Sequence, residues 1–286
     1  MAGLTNGASS RLTGTLYVVA TPIGNLADAS PRALDTLRAA HLVACEDTRT
    51  THTLLARYGI EARTIALHEH NERAAAPKLI AALREGKNVA LVSDAGTPGL
   101  ADPGAFLVAE AHRAGIPVSP IPGPSAAAAA ISACGFAADR FLFAGFLPAA
   151  QAARRKALGA LELPWPVVLY EAPHRIAETL GDLAAQFGAG REIVIARELS
   201  KKFEEVARLP LGSAADWLTA RKERRQGEFV LVLAPGEERP ARALDAERVL
   251  EVLLEALAPS EAAKLAARIT GLPKAALYRR ALERGK

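Results

Sequence analysis

Three loops combine glycine, proline and small or hydroxylated residues in a way that suits a ligand lying against the main chain. They are Pro22-Ile23-Gly24, Asp94-Ala95-Gly96-Thr97-Pro98 and Pro122-Gly123-Pro124-Ser125. Glycine and alanine leave the backbone uncovered, and proline fixes the turn. None of the three is a P-loop, because the Gly-Lys-Ser/Thr ending is absent. None is a G-x-G-x-x-G loop with an acidic residue at the distance that would meet a ribose. ATP hydrolysis and ordinary dinucleotide binding are therefore disfavoured. A nucleoside ligand without phosphates, gripped mainly by main-chain groups, fits better. Each loop alone reads equally as a tight turn, but three at equivalent strand ends weaken that reading.

The loops need a frame, and the clearest part of it is Asn88–Pro98. The apolar run Val89-Ala90-Leu91-Val92 breaks at Ser93-Asp94 and passes into small, turn-forming residues. That pattern is a buried parallel strand delivering a ligand loop at its carboxyl end. Strands are also expected at Gly14–Thr21, Leu42–Cys45, Thr64–Leu67 and Val118–Ile121. Helices alternate with them, one opened by Ser30 as N-cap with Pro31 at the first position, another near Ala105–Arg113. Such alternation predicts a mainly parallel sheet with helices on both faces. After an Ala-rich helix at Ala126–Ala133, Phe141–Phe146 begins a second α/β domain. Its further strands are Val167–Tyr170, Ile193–Ala196 and Phe229–Leu233, with Glu204–Leu209 as an antiparallel neighbour. Pro235–Pro240 reads as a linker. Beyond it lie three helices, two of them joined by Gly271-Leu272-Pro273 in the manner of a helix-turn-helix, with Ser260 as the cap of the first of that pair. The domain plan is thus a loose tail at 1–13, α/β domains at 14–124 and 125–236, and a helical module at 237–286.

The chain has 286 residues, half of them apolar, and a formal net charge of +4. That mild excess allows an anionic partner without demanding one. The two cysteines, Cys45 and Cys134, lie far apart in apolar surroundings, which fits a reduced cytoplasmic setting and no metal spacing. No apolar run is long enough for a membrane span, and residues 1–13 lack the core of a signal peptide.

Seven short motifs follow one another in order: TPIGNL at 21–26, EDTR at 46–49, LHEHNE at 67–72, SDAGTP at 93–98, PGPSA at 122–126, YEAPHR at 170–175 and ARELSK at 196–201. Each is weak alone, but seven in order are highly specific. Together they resemble the ribosomal small subunit methyltransferase I family of the tetrapyrrole (class III) methylases. The resemblance covers roughly residues 14–235 and extends to the C-terminal helices. It implies S-adenosylmethionine in a cleft between two α/β domains, a homodimer, and 2′-O-methylation of a cytidine ribose in the decoding region of 16S rRNA, on free RNA or an assembled small subunit. It places cofactor contact on Asp94, Ala95, Gly96, Ser125 and Ala126, with Pro22, Gly24, Ser93, Thr97 and Pro124 in the same loops and Tyr170 and Ala196 as second-domain walls. Two positions depart from the family pattern. Ser200 stands where Thr is expected, and Gln226 stands where a basic residue is expected before Gly227-Glu228.

A ribose hydroxyl is a poor nucleophile until it loses its proton, so a positioned base helps. The candidates are the polar strand-end groups Glu46, Asp47, His70, Glu72 and Glu171. Asp47 with Arg49 also reads as an ion pair holding a loop, the preferred reading for Arg49, and Glu171 reads equally as the cap of the helix begun at His174-Arg175. His68 and His70 would face one side of an extended chain, but no third metal ligand is evident, and RNA contact by His70, Asn71 and Glu72 is the better reading. Arg49, Arg154, Arg155, Arg175, Lys274, Arg279 and Arg280 are the candidates for phosphates, which position RNA without reading its sequence. For Arg154 and Arg155 the competing reading is a solvated helix face. Two rivals stay open. One is a methylase of the same superfamily acting on a small tetrapyrrole or a protein. The other is a nucleic-acid-binding module without catalysis.

Overall fold

The computed structural model describes residues 13–236 and 246–284, in one unit that ends at Ala234 and a second that begins at Pro235. The tail, up to residue 12, and residues 237–240 of the linker lie outside the described residues.

The first unit opens with five strands: β1 (Leu16–Val19), β2 (Leu42–Cys45), β3 (Thr64–Ala66), β4 (Val89–Val92) and β5 (Val118–Ile121). They form one sheet in the order β3-β2-β4-β1-β5, parallel throughout. Between them run α1 (Pro31–Ala39), α2 (Thr48–Arg57), α3 (Glu72–Arg84) and α4 (Ala105–Arg113). Successive residues of β4 serve opposite faces, as the pleat requires. Val89 and Leu91 pack with Leu79, Leu83 and Leu107 of α3 and α4, while Ala90 and Val92 pack with Leu37 and Leu55 of α1 and α2. Full burial of each valine or leucine side chain contributes about 1.5–3 kcal/mol, which is why this short strand anchors the layer. Ser30 caps α1 by accepting from the Ala33 N–H at 3.1 Å, with Pro31 at the first position. The first strand is shorter than Gly14–Thr21. Thr21 leaves the ladder to pair with Gly96 instead.

After α5 (Ala126–Cys134) a second sheet is built from β6 (Leu142–Phe146), β7 (Val167–Glu171), β8 (Glu192–Arg197), β9 (Glu205–Pro210) and β10 (Phe229–Leu233). Helices α6 (Gln151–Leu158), α7 (Ile176–Phe187) and α8 (Ala214–Thr219) cover one face, and α5 packs on the other against Val168, Val194 and Val230. The order is β6-β7-β10-β8-β9. Only β6 and β7 run parallel here; β10 is antiparallel to both β7 and β8, and β9 is antiparallel to β8. Parallel pairing therefore prevails over the two sheets together, and every antiparallel ladder belongs to the second.

The second unit holds α9 (Ala246–Leu254), α10 (Pro259–Thr270) and α11 (Lys274–Arg284), packed through Leu250, Ala262, Ala263, Ala266, Leu277 and Ala281. The cap of helix α10 lies two residues before the expected one. Ala258 is its N-cap and Pro259 its first residue, so Ser260 is already inside. Gly271 ends it at φ 72°, the left-handed geometry that glycine adopts without strain.

Candidate functional site

The three loops noted in the sequence leave three neighbouring parallel strands, β1, β4 and β5, at the same edge of the first sheet. Hydrogen bonds strap them together. Thr21 and Gly96 exchange both main-chain bonds, N–H to O, at 2.8 and 3.1 Å. The Thr97 hydroxyl donates to the Pro124 carbonyl at 3.1 Å. Gly96 sits at φ 84°, and a Cβ there would touch the Ile23 side chain at 3.4 Å. The result is a rigid wall in which main chain, rather than side chains, faces outward.

That wall borders a cleft of about 480 Å³. Asp94, Ala95, Gly96, Thr97, Ser125 and Ala126 line it from the first-sheet loops and the start of α5, whose N-cap is Ser125. Opposite stand Phe146, Tyr170, Leu199, Phe229 and Val230 from the second half of the unit. Tyr170 joins the two sides, because its hydroxyl accepts from the Ala127 N–H at 3.2 Å. Pro22, Gly24, Ser93, Pro124 and Ala196 are not among the lining residues. Ala196 is fully buried between β8 and α5, and Val230 on the neighbouring strand supplies the wall expected of it. Gly24 makes room for a neighbour instead. A Cβ there would lie 2.3 Å from the Lys201 side chain, which crosses over it.

The proton-acceptor candidates separate sharply. Glu46 lines the cleft beside Asp94 and Asp102. Burial, then the charges of Asp94, Asp102 and Asp47, raise its carboxyl above the ordinary value, against a hydrogen bond from the Asp94 main chain. Burial and Asp94 raise Asp102 in the same sense, against a hydrogen bond from Ser93. One Asp94 oxygen is fixed by the Asp47 N–H at 3.0 Å.

The remaining four have other occupations. Asp47 caps α2, accepting from the Arg49 N–H at 2.8 Å, and pairs with the Arg49 guanidinium at 2.6 Å. Those bonds hold its carboxyl down at about 2, too acidic for a useful base near neutrality. Glu72 accepts from the Gly104 and Leu107 N–H groups at 3.1 and 3.0 Å and so closes the open start of α4. Glu171 lines the cleft, but its oxygens accept from the Thr179 hydroxyl at 2.6 Å and from the Ala172 N–H at 2.8 Å, within α7 and its entry. His70 is exposed and absent from the cleft wall, with its ring edge-on to His68.

Several cations read as phosphate ligands are structural. Arg154 is fully buried, bonded to Asp182 at 2.7 Å, Glu178 at 3.2 Å and the Ala149 carbonyl at 3.1 Å. Neither of the two readings at that position, phosphate contact or solvated face, describes it. Arg175 donates to the Leu147 and Pro148 carbonyls at 2.6 and 3.1 Å. The Asn71 amide accepts from the His68 N–H and donates to the Ala66 carbonyl, closing its own turn and leaving little for RNA. Arg155 is half exposed while paired with Asp182, and Arg49 is exposed beside Asp47. Lys274, Arg279 and Arg280 are exposed on α11, Arg280 with Glu247 at 3.3 Å. Among the described residues no group of three or more His, Cys, Asp or Glu is placed to hold a metal, and no helix is long and apolar enough to cross a membrane.

The two unusual positions have local explanations. Ser200 sits at φ 67°, where a β-branched threonine would be the more strained residue. Gln226 contributes its carbonyl, which accepts from the Arg197 Nε at 2.7 Å, a main-chain role that the change of side chain leaves intact. Gly227 is required instead: a Cβ would lie 2.5 Å from the Glu198 carboxylate. Leu100, Ala101 and Phe146 also line the cleft, although nothing in the sequence marks them, and so does Leu199 of the ARELSK motif. They carry no polar signature, and only the fold brings them together.

Residues 15–215 match the family described as Tetrapyrrole (Corrin/Porphyrin) Methylases, and residues 240–285 match the RsmI C-terminal HTH domain. The chain is 50% identical over 277 residues to the ribosomal RNA small subunit methyltransferase I of Pseudomonas aeruginosa, covering 95% of this chain and 98% of that one. It is 49% identical over 275 residues to the protein of that name from Escherichia coli O157:H7, covering 94% and 95%. Among solved structures, a diphthine synthase superposes with TM-score 0.58 at 19% identity, over 77% of this chain and 90% of that one. A uroporphyrin-III C-methyl transferase from Thermus thermophilus complexed with S-adenyl homocysteine gives 0.53 at 18% identity, over 78% and 98%. Those distant likenesses carry the fold, whereas the curated relatives carry the family over nearly the whole length. The chain belongs to the ribosomal RNA small subunit methyltransferase I family of tetrapyrrole methylases.

Proposed function

We propose that this chain transfers the methyl group of S-adenosylmethionine to the 2′-hydroxyl of a cytidine ribose in the decoding region of 16S rRNA, acting in the cytoplasm as a homodimer. The observation that carries the reading is that similarity to the curated relatives spans the α/β unit and the C-terminal helices alike, over 95% of the chain for the Pseudomonas aeruginosa protein. A small-molecule methylase would have no need of an exposed basic helical module.

The cleft suits the cofactor. Ala95, Gly96 and Ala126 present main chain with little side chain, so a flat nucleoside can approach closely. Ile23, Leu199 and Val230 supply apolar surface for a purine, and the oriented Asp94 carboxylate suits hydroxyl or ammonium groups. Asp94, Ala95, Gly96, Thr97, Ser125, Ala126 and Tyr170 are the residues that would hold it. When bound, S-adenosylmethionine supplies a methyl group on a positively charged sulfur. Glu46 is then the group that takes the proton from the acceptor hydroxyl. It faces the cleft with a single main-chain bond, from Asp94, on its carboxylate, whereas capping and helix-entry bonds occupy Asp47, Glu72 and Glu171, and His70 is off the cleft wall. Its raised affinity for a proton makes it a better acceptor than an ordinary carboxylate. Walls from both halves of the unit limit the access of bulk water to the cleft, which favours a displacement that disperses charge. Lys274, Arg279, Arg280, Arg49 and Arg155 are left to position phosphates; the pairs of Arg49 and Arg280 are exposed and exchange readily, and Arg155 is itself exposed beside buried Asp182.

The test is transfer from labelled S-adenosylmethionine to small ribosomal subunits that lack their own modifications, with the modified nucleoside identified by mass. Recovery of 2′-O-methylcytidine is expected. Cofactor binding without incorporation would overturn the acceptor assignment.

A further inference from the structure

One feature of the cleft is not explained by holding the cofactor or moving a proton. Phe146 lines the cleft yet is 55% exposed, and Leu100 beside it in the lining is 42% exposed. The backbone has been bent to put the ring there. In a regular strand, residues three apart lie on opposite faces, so Phe143 and Phe146 of β6 should point away from each other. The ladder with β7 slips between them: Phe143 pairs with Val168, and Gly145 already pairs with Leu169. Ala144 is thus an extra residue, a β-bulge, and Gly145 provides the positive φ of 64° that accommodates it. Both phenyl rings then meet Tyr170 edge to face, Phe143 at 4.9 Å and Phe146 at 5.6 Å between centroids. Bulges of this kind re-aim a side chain, and the side chain re-aimed here is a large apolar one, turned toward solvent at a cleft mouth.

Of the aromatic residues that line the cleft, Phe229 is buried in the sheet, and Tyr170 is covered by the two phenyl rings and tied by its hydroxyl to Ala127. Phe146 is the one with an open face. It is also held in place, because it packs at a steep angle against a tyrosine whose own position is fixed. A rigid, half-open aromatic face supported from behind is what a flat heteroaromatic ring stacks on, and stacking tolerates any base because every base has a π-face.

Building on the reaction proposed above, we propose that Phe146 is the stacking platform for the base of the acceptor nucleotide, with Leu100 as its apolar neighbour. The ring holds the base at the cleft mouth while the ribose reaches inward to Glu46. The acceptor must therefore be unstacked from its own strand, which suits a loop or junction rather than a continuous helix.

The experiment measures binding of unmodified small subunits to protein loaded with S-adenosylhomocysteine, alongside methyl transfer, for Phe146→Ala and Phe146→Tyr. An exposed residue tolerates both changes, and thermal unfolding of each variant checks this. Phe146→Ala is expected to weaken subunit binding about tenfold or more, to raise KM more than it lowers kcat, and to leave the affinity for S-adenosylhomocysteine unchanged. Phe146→Tyr, which keeps the ring, is expected to restore binding. Wild-type affinity in Phe146→Ala, or a matching loss of affinity for S-adenosylhomocysteine, would overturn the assignment, the latter by giving the ring to the cofactor. If the wild-type protein methylates no cytidine yet subunit binding still depends on the ring, the platform stands and the reaction proposed above falls.

Discussion

Replacing Asp182 with alanine should be among the most damaging single changes outside the cleft. The Asp182 side chain is 1% exposed and accepts from the Nε atoms of Arg154 and Arg155, each at 2.7 Å. Without it, the fully buried Arg154 guanidinium keeps only Glu178, itself largely exposed, and one carbonyl. Breaking one side of a buried pair in this way costs about 3–5 kcal/mol, because a charge is left without compensation. At roughly 2–4 °C per kcal/mol for a unit of this size, the melting temperature should fall by about 6–20 °C. Calorimetry and urea unfolding measure both quantities. Removing both partners together, as Arg154→Met with Asp182→Leu, should recover much of the loss, giving a coupling between the two sites of several kcal/mol by the same reasoning. Arg154→Met in that background should not weaken RNA binding beyond any effect of Asp182→Leu on Arg155, since Arg154 faces no solvent. Burial by itself would raise the Asp182 carboxyl, but its bonds to Arg155 and Arg154 prevail and lower it. A carboxylate depressed in the folded state contributes stability above its unfolded value and loses it as pH falls through the folded one. The Asp182 contribution therefore fades below about pH 4, and the acid limb should flatten in the double variant. A loss under about 1 kcal/mol for Asp182→Ala would refute the reasoning, since only a solvated pair is worth so little.

Glu46→Gln should lower kcat by about 10²–10⁴-fold with cofactor affinity unchanged. In the wild type kcat should rise with pH as Glu46 loses its proton, with a midpoint above the ordinary carboxylate value because burial and neighbouring carboxylates raise it; an unchanged pH profile in Glu46→Gln would remove it as the base. Deletion of residues 241–286 should weaken RNA binding and reduce the slope of log affinity against log salt by about 0.7–0.9 for each phosphate that is no longer engaged. Equal affinity at every salt concentration would take the helical module out of RNA recognition.

The parts of this protein that are legible in its sequence are those whose signal is local. Val89–Val92, Ala105–Arg113, Val118–Ile121 and Phe229–Leu233 have the expected bounds, because apolar runs and their Gly, Pro or capping borders are written within a few residues. The three backbone loops are legible for the same reason. The direction of β10 is not. A strand buried on both faces reads as the same apolar run whether its neighbours run with it or against it. Polar side chains are the least legible. Glu72, Glu171, Asn71, Arg154 and Arg175 all carry chemistry-bearing groups, and in each the decisive partner is a main-chain group, a hydroxyl or a counter-ion. For Glu72, Arg154 and Arg175 that partner lies on another element of the fold. Phe146 gives no signal of its own, because a phenylalanine in a strand suggests a core, and only the slipped register turns it outward.

The Ser200 backbone belongs to a small set. Ala101, Glu198 and Ser200 are the described non-glycine residues at positive φ, at 65°, 51° and 67°. Ala101 lines the cleft, and the other two flank the lining residue Leu199. Such conformations cost on the order of 1–3 kcal/mol each. A designer seeking a hardier version of this protein would turn first to glycine at these places. The side chains argue otherwise. The Glu198 carboxylate accepts from the Glu228 N–H at 2.9 Å and from Lys201 at 3.0 Å, and the Ser200 hydroxyl bonds to Asp28 in the first half of the unit. Thermal hardiness and a well-set cleft are therefore opposed demands at these positions, and a screen that selects on melting temperature alone will drift toward sequences that loosen the place where the two halves meet.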